Sequence, residues 1–252
     1  MNKFLFKIKS KIGRICFVCK EQILNGEYDF IFGIGAACSC TQTLRNCCLQ
    51  FRSYPLDWLY GGDLKTRIDL LINHFTDFIN QEDLKKVDEK DYPLHRDIYC
   101  NLKNGIVFNH DFEFHQRLED TYPAVKEKYD RRIKRLYEHI KSAQKILIVY
   151  MQSPDTTISI KKAEKQIKQN FFKITEKYPD KNIQLLYLVN KKYFLPIKFV
   201  RAITDNAVIL ATNYRHKDRT TADFVVNDEY LKTIFKNVKL NKKVIAEQIP
   251  KI

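Results

Sequence analysis

The stretch Tyr28-Asp-Phe-Ile-Phe-Gly-Ile-Gly-Ala-Ala-Cys38-Ser-Cys40 joins an apolar run, a turn of small residues and a cysteine. The apolar run predicts a buried strand over residues 29–34, and the small residues predict a tight turn into a helix. This arrangement places the Cys38 thiol after a strand and at the start of a helix. Because a helix N-terminus favours negative charge, we expect a lowered pKa and a nucleophilic role for Cys38.

Outward from this stretch, strand-like runs alternate with amphipathic helical runs. The predicted helices cover residues 41–51, 64–79, 125–142, 158–178 and 229–237, and the further strands cover 105–108, 145–150, 183–189 and 207–211. Such alternation is typical of an α/β fold, so we predict one layered domain with a mostly parallel sheet flanked by helices. No repeat and no Gly/Ser- or Pro-rich linker interrupts it, so we assign residues 26–252 to this domain.

Residues 1–25 form a separate, strongly basic segment. Between residues 3 and 20 there are six Lys or Arg side chains and no acidic one, and apolar residues recur at helical spacing. This pattern predicts a basic amphipathic helix. Such a helix either packs on the domain with its lysines in solvent or makes peripheral contact with an anionic membrane surface.

Charge and cysteine content narrow the partners and the compartment. The 252 residues include 44 Lys or Arg against 30 acids, a formal charge of +14, which favours an anionic partner but also accompanies a merely Lys-rich composition. No signature of a nucleic-acid-binding module accompanies the charge, so we expect no specific nucleic acid. Seven cysteines without a secreted framework, no signal peptide and no membrane-length apolar run predict a cytoplasmic protein, with the inner-membrane surface as its one peripheral alternative.

His110 is the natural partner for the Cys38 thiol. It follows the predicted strand at 105–108, and ligands of α/β sheets gather where strands end. An imidazole can take the proton of a thiol, and a third group usually orients the imidazole through its other nitrogen. Spacing does not choose between three candidate orienting carboxylates, which are Asp57, Asp111 and Asp155.

Metal and cofactor motifs are weak in this chain. Cys16-Phe-Val-Cys19 resembles half of a zinc knuckle, but it falls on the predicted N-terminal helix and lacks the knuckle glycine. There is no phosphate-binding Walker loop, and Gly33-Ile-Gly35 lacks the third glycine of a dinucleotide-binding fingerprint. We therefore expect no metal and no cofactor.

A dense basic turn, Asp130-Arg-Arg-Ile-Lys-Arg135, falls inside a predicted helix. Guanidinium groups match phosphate and carboxylate geometry, so Arg131 and Arg132 are candidates to hold an anionic group of a substrate or glycan intermediate. The alternative is a solvated helix face on which Glu127 and Asp130 pair with the basic residues at helical spacing.

Four motifs occur in order along the chain: Ile34-Gly35-Ala-Ala-Cys38, Arg52-Ser-Tyr-Pro55-Leu-Asp57-Trp58, Phe108-Asn-His110-Asp111-Phe and Lys128-Tyr-Asp-Arg131-Arg132-Ile-Lys-Arg135. Together, over about residues 28–155, they resemble a bacterial family catalogued as putative papain-like cysteine peptidases. Members of that family are often found among surface-polysaccharide genes. The chain departs from the family pattern at Leu56, where phenylalanine is common.

The resemblance implies Cys38 as nucleophile, His110 as base and Asp57 as a supporting group that orients His110 or pins its loop. Trp58, in the same loop, joins Arg131 and Arg132 as a candidate for substrate binding. A second thiol at Cys40 competes for the nucleophile's role. The family label also implies an alternative papain-like α+β fold, in which the Cys-bearing helix packs on an antiparallel sheet.

We therefore expect a Cys–His hydrolase or acyltransferase that acts on an amide or thioester, in surface-polysaccharide biosynthesis or modification if the resemblance extends that far. Backbone N–H groups of residues 37–40 would hold the developing oxyanion. The rival hypothesis is a non-catalytic accessory or sugar-handling protein of polysaccharide assembly, in which Cys38 is merely buried. The two differ in whether an imidazole lies within hydrogen-bond reach of Cys38.

Overall fold

A computed structural model of the chain describes residues 23–87, 96–153, 156–191, 199–214, 226 and 228–241. Its helices are α1 (Cys38–Asn46), α2 (Leu64–Ile72), α3 (Leu118–Ser142), α4 (Ile160–Lys177) and α5 (Asp228–Phe235), with a short 3-10 helix at Gln81–Asp83. Its strands are β1 (Glu27–Tyr28), β2 (Phe30–Gly33), β3 (Leu59–Tyr60), β4 (Leu84–Lys86), β5 (Asp97–Asn101), β6 (Val107–Phe112), β7 (Lys145–Met151), β8 (Asn182–Asn190), β9 (Phe199–Thr204), β10 (Ala207–Thr212) and β11 (Lys239–Leu240).

A five-stranded sheet in the order β2-β7-β8-β10-β9 forms the centre of the fold. Its first four strands are parallel, and β9 runs antiparallel to β10. Strands β7, β8 and β10 are almost continuously apolar and buried, because helices cover both faces of the sheet. Helix α4 packs on one face, and α1 and α5 pack together on the other. The predicted α/β fold with a mostly parallel sheet is confirmed.

A second sheet, with four antiparallel strands in the order β3-β6-β5-β4, lies outside that prediction. Its strands have two to six residues and several polar positions, so they leave little periodic signal in the sequence. The sequence places His110 after a strand at 105–108, but it lies inside β6. The papain-like alternative is not the observed architecture, because the Cys-bearing helix α1 contacts the parallel strands β2 and β7.

Three helices differ from their predicted bounds by three residues or more. Helix α1 begins at Cys38 and ends at Asn46, which is three residues earlier at its start and five residues earlier at its end than predicted. Helix α2 ends at Ile72, and His74, Phe75 and Asp77 then adopt positive φ, although the buried Phe75 continues the apolar pattern. Helix α3 begins at Leu118 and contains a proline in its second turn, which explains why the sequence suggested a later start.

The predicted amphipathic helix over residues 3–20, with its two cysteines, lies outside the described residues. Among the helices that the structure describes, none has both the length and the apolar composition that a bilayer crossing requires.

Candidate active site

The Cys38 thiol lies where the edge strand of the parallel sheet turns into α1. Ala37 is the extended N-cap residue, with φ −152° and ψ 167°, and no side chain caps the helix. The turn depends on Gly35, because a Cβ at this position would lie 2.3 Å from the Cβ of Cys40 and 2.9 Å from the Met151 carbonyl oxygen. Glycine therefore lets α1 lie directly against the strand, and this places Cys38 at the first position of the helix.

The imidazole comes from the antiparallel sheet. His110 is an exposed residue of β6, and its Nε2 lies 3.4 Å from the Sγ of Cys38. Strand β3 pairs with β6 through Leu59 and Phe108. Just after β3, the Gly61 N–H donates to the Ala36 carbonyl at 3.2 Å. These contacts hold the second sheet against the end of β2, and so they bring thiol and imidazole within hydrogen-bond distance.

The protonation state of this pair differs from the sequence-based expectation. Burial raises the pKa of Cys38 to about 11, although the N–H of its own residue and the charge of Arg67 both favour the thiolate. Although His110 is exposed as a residue, partial desolvation of its imidazole beside α1 lowers its pKa below the usual value. The expectation of a lowered thiol pKa is wrong, because desolvation outweighs the helix terminus. At neutral pH the geometry holds a thiol beside a neutral imidazole.

Asp57 supports the site from a distance. The carboxylate is fully buried and accepts hydrogen bonds from Thr41 Oγ1 at 2.8 Å, Gln50 Nε2 at 2.6 Å and the Tyr54 N–H at 2.7 Å. His110 is not among its partners in the described part of the chain. Because Thr41 belongs to α1 and Tyr54 to the following loop, Asp57 ties that loop to the helix that carries Cys38. Burial raises the pKa of Asp57 to about 6.

Asp111, a second candidate orienting carboxylate, does not bond His110 either. Asp111 is the next residue on β6, and neighbouring strand residues point to opposite sides. Its carboxylate accepts from the Tyr129 hydroxyl at 2.9 Å and pairs with Lys128. Asp155 lies outside the described residues. Among the residues that the structure describes, the imidazole therefore has Cys38 as its hydrogen-bond partner.

The three predicted substrate-binding residues do not all lie together. Arg131 is exposed on α3 and pairs with Glu127 at 3.7 Å. The Arg132 guanidinium lies 5.3 Å from the centre of the Tyr129 ring, and its Nη1 is buried without a hydrogen-bond partner in the described residues. Trp58 adopts a φ of 64°, within the loop that Asp57 anchors. The charge of Arg132 acts on Asp57, and the Trp58 indole N–H donates to Ser53 Oγ at 3.4 Å in the loop that Asp57 anchors, whereas Arg131 faces solvent.

Two further arginines, Arg45 and Arg135, form a cluster with Arg132; the basic turn at 130–135 indicated Arg132 and Arg135, but the sequence did not indicate Arg45. Arg45 donates to Ser53 Oγ at 2.8 Å and lies 5.2 Å over the Trp58 ring, and Arg135 donates to the Ser53 carbonyl at 2.9 Å. The charges of Arg132 and Arg45 both act on the Asp57 carboxylate. We call Arg45, Arg132 and Arg135 the arginine cluster. Arg45 follows Cys38 by seven residues, which places both on one face of the helix, and this spacing is the one signal that could have identified Arg45.

Arg67 was also missed. It is fully buried, and its guanidinium donates to the Gly61 carbonyl at 2.7 and 3.0 Å and to the Leu56 and Leu59 carbonyls at 3.3 and 3.4 Å. These bonds fix the chain that leads into and out of β3. The sequence signal was an arginine on the apolar face of a helix, three residues after Leu64.

Within the described ranges, no group of three or more His, Cys, Asp or Glu side chains is arranged to hold a metal ion.

Comparison with known proteins gives one match. A family model described as "Putative papain-like cysteine peptidase (DUF1796)" matches residues 29–186, a span that includes Cys38, Asp57, His110 and Arg132. No curated protein and no solved structure matches the chain.

Proposed function

Because the chain belongs to this family of putative papain-like cysteine peptidases, we propose that it is a cysteine-dependent hydrolase or acyltransferase that works through Cys38 and His110. The observation that carries the proposal is the 3.4 Å separation of the Cys38 Sγ and His110 Nε2 atoms at the start of α1. A non-catalytic protein with a merely buried Cys38 would not need an imidazole at this distance, so the same observation counts against the accessory hypothesis.

In the proposed reaction His110 acts as a general base. Its unprotonated Nε2 accepts the thiol proton as Sγ attacks a carbonyl carbon, because the raised pKa of Cys38 leaves little free thiolate at neutral pH. The protonated imidazole then gives the proton to the leaving group, and a thioester remains on Cys38. Water or another acceptor, deprotonated by His110, releases the acyl group and regenerates the thiol.

Backbone N–H groups at the start of α1 are suited to the developing oxyanion. The first residues of a helix have N–H groups without intrahelical partners, and no side chain caps this one. The Cys40 N–H already donates to the Ala37 carbonyl at 3.2 Å. We therefore narrow the expected oxyanion site from residues 37–40 to the N–H groups of Cys38 and Ser39.

The arginine cluster supports an anionic substrate. Arg45 belongs to the helix that carries Cys38, and the charges of Arg45 and Arg132 both act on Asp57, which ties its loop to that helix. The Arg132 Nη1 is buried without a hydrogen-bond partner among the described residues. A carboxylate or phosphate near the scissile bond would satisfy this group. An acylated anionic glycan intermediate of surface-polysaccharide modification is a substrate of this kind.

Labelling with iodoacetamide-alkyne, mapped by mass spectrometry, tests the nucleophile. We expect the label on the Cys38 peptide to appear in the wild type and in the matched variant Cys40→Ser, because Cys40 is only 2% exposed, and to fall strongly in His110→Asn, while the label on the exposed Cys48 stays the same in all three. No label on Cys38, or an equal label on Cys38 with and without His110, would remove Cys38 from the proposed role.

Two neighbouring arginines provide a matched test of the anionic substrate. The ratio of the Cys38 reaction rates with iodoacetate and iodoacetamide reports positive charge near the thiol. We expect Arg132→Gln to lower this ratio several-fold and Arg131→Gln to leave it unchanged, since Arg131 pairs with Glu127 on the exposed side of α3. Equal ratios in the two variants would contradict a substrate-binding role for Arg132.

A further inference from the structure

A second feature of the parallel sheet lies beside the thiol but takes no part in its chemistry. Strands β2 and β7 are parallel neighbours, and the chain leaves them towards opposite faces of the sheet. After β2 it enters α1, which packs with Leu147 and Val149, and after β7 it leads to α4, which packs with Ile148. At such a switch point the diverging connections open a crevice where α/β proteins bind ligands.

A pocket of about 260 Å³ occupies this crevice. Ala36 lines it from the turn after β2, Gln152 and Ser153 from the chain after β7, and Tyr60 from the end of β3. Its floor includes Tyr150 and Tyr187, whose rings lie 4.6 Å apart, and the Tyr187 hydroxyl is held by Gln166 at 2.8 Å. The volume suits a ligand of a few to about a dozen non-hydrogen atoms.

The N-terminus of α4 gives one side of the pocket a positive charge. The helix has 18 residues, begins after the Ser159 cap and has no acidic residue in its first turn. That turn instead carries Lys161 and Lys162, and Lys162 lines the pocket. None of the ion pairs among the described residues involves Lys162. Lysines at the positive end of a helix dipole are unfavourable alone, and an anion in the pocket would lie against Lys162 and offset this cost.

A buried amide supplies a second and independent sign of a ligand. Gln152 is 4% exposed, and its backbone is fixed, since its N–H donates to Leu188 and its carbonyl accepts from Tyr214. The side-chain Oε1 nevertheless has no donor among the described residues. A buried acceptor without a partner is costly, and a ligand hydroxyl reaching into the pocket would satisfy it. The Asp63 carboxylate, which caps α2 through the Thr66 N–H, offers another acceptor on the lining.

We propose that this pocket binds a small organic anion that also carries hydroxyl groups. Its phosphate or carboxylate lies against Lys162 and the start of α4, and a hydroxyl donates to Gln152. This site is separate from the arginine cluster and does not depend on the Cys38 chemistry, so it stands even if the proposed hydrolase activity does not.

Isothermal titration of the full-length protein with four probes tests the proposal. Glycerol 3-phosphate and glycerate carry both features with different anions, inorganic phosphate lacks the hydroxyls, and glycerol lacks the charge. The affinities of glycerol 3-phosphate and glycerate show whether the pocket prefers a phosphate or a carboxylate. We expect the tighter of these two probes to bind more tightly than inorganic phosphate and glycerol. Failure of both to bind at millimolar concentration, or equal binding of glycerol, would overturn the proposal.

Matched variants locate the binding. Lys162→Gln should weaken the better probe about tenfold, the loss expected for one charge-assisted hydrogen bond. Lys161→Gln, one residue away and not on the pocket lining, should bind like the wild type, and so should Cys38→Ser and Arg132→Gln. Equal affinity in the two lysine variants would overturn the proposal, and so would loss of binding in Arg132→Gln, which would assign the anion to the arginine cluster.

Discussion

The two sheets of this protein each supply one half of the thiol–imidazole pair, and they do so by different physical means. The parallel sheet places Cys38 through one continuous segment, in which a buried strand, a glycine turn and a helix follow each other. The antiparallel sheet places His110 through pairings between distant segments, such as Leu59 with Phe108 and Gly61 with Ala36. The thiol position is therefore local, whereas the imidazole position depends on how the two sheets are joined.

Buried polar groups, and not strand pairing alone, hold the antiparallel sheet against the parallel sheet and α1. Asp57 ties the loop before β3 to α1 through Thr41, and Arg67 binds the carbonyls on both sides of β3. Both side chains are fully buried and have several hydrogen-bond partners each. Groups of this kind specify one arrangement because every other arrangement leaves them unpaired. These two residues therefore position the Cys38 thiol and the His110 imidazole without bonding to either group.

Removing the contribution of the antiparallel sheet should have the largest effect. We expect His110→Asn to lower the Cys38 reaction rate with an acylating probe about 100-fold or more, the usual loss when a general base is removed. His115→Asn is the matched control, because this exposed residue lies at a φ of 57°, which asparagine tolerates. Similar rates in both variants would leave the second sheet without a chemical role.

The protonation state of Cys38 beside His110 can be measured from the ultraviolet absorbance of the thiolate. Burial raises the pKa of Cys38 to about 11 and lowers that of His110, so the wild type minus Cys38→Ser spectrum should contain no thiolate band at neutral pH. The band should appear only as the pH approaches 11. A thiolate band at pH 7 would mean that Cys38 and His110 form an ion pair, contrary to the neutral thiol and imidazole that burial favours.

Two substitutions of Asp57 separate positioning from catalysis. Asp57→Ala leaves three buried donors unpaired and should lower the free energy of unfolding by about 3 kcal/mol or more, measured by denaturant titration. Asp57→Asn can keep all three partners, because the Thr41 hydroxyl can turn to accept. It should retain the Cys38 reaction rate, and a large loss of rate in this folded variant would show that the charge acts on His110.

The contribution of Asp57 to stability also depends on pH. Its folded pKa of about 6 exceeds the ordinary value of 3.8 expected in the unfolded chain, so folding favours the protonated form. The stabilisation linked to this group is complete below about pH 3.8 and is lost as the pH rises through about 6. The stability of the wild type relative to Asp57→Asn should therefore fall across this window, and a constant difference would contradict the raised pKa.

The smallest effect on stability and reaction rate is expected for Cys40, where α1 packs on the parallel sheet. Cys40 is buried against Gly33, with its Sγ 3.5 Å from the Val149 carbonyl oxygen. Cys40→Ala should cost about 1 kcal/mol of stability, typical of a small change in a core, and leave the Cys38 reaction rate unchanged. A strong loss of rate would mean that the second thiol takes part in the chemistry.

The sequence was informative where structure is local and periodic. The apolar runs of β7, β8 and β10 and the amphipathic pattern of α4 gave their positions within a few residues, because burial on fixed faces imposes a period. Strands β3, β4 and β5 were missed, because their short and partly polar segments become strands only through their neighbours. The same limit explains why the sequence offered three carboxylates as partners of His110 and the structure selects none of those it describes.

The sequence by itself determined the α/β alternation, the small-residue turn before Cys38 and the excess of basic residues, since each is a property of neighbours along the chain. Only the tertiary structure decided that Cys38 and His110 meet, that Asp57 holds a loop, that Arg132 lies over the Tyr129 ring while Arg131 faces solvent, and that a pocket opens between β2 and β7. These outcomes depend on burial and on contacts between distant segments, and burial also reversed the direction of the thiol pKa that the helix terminus alone suggested.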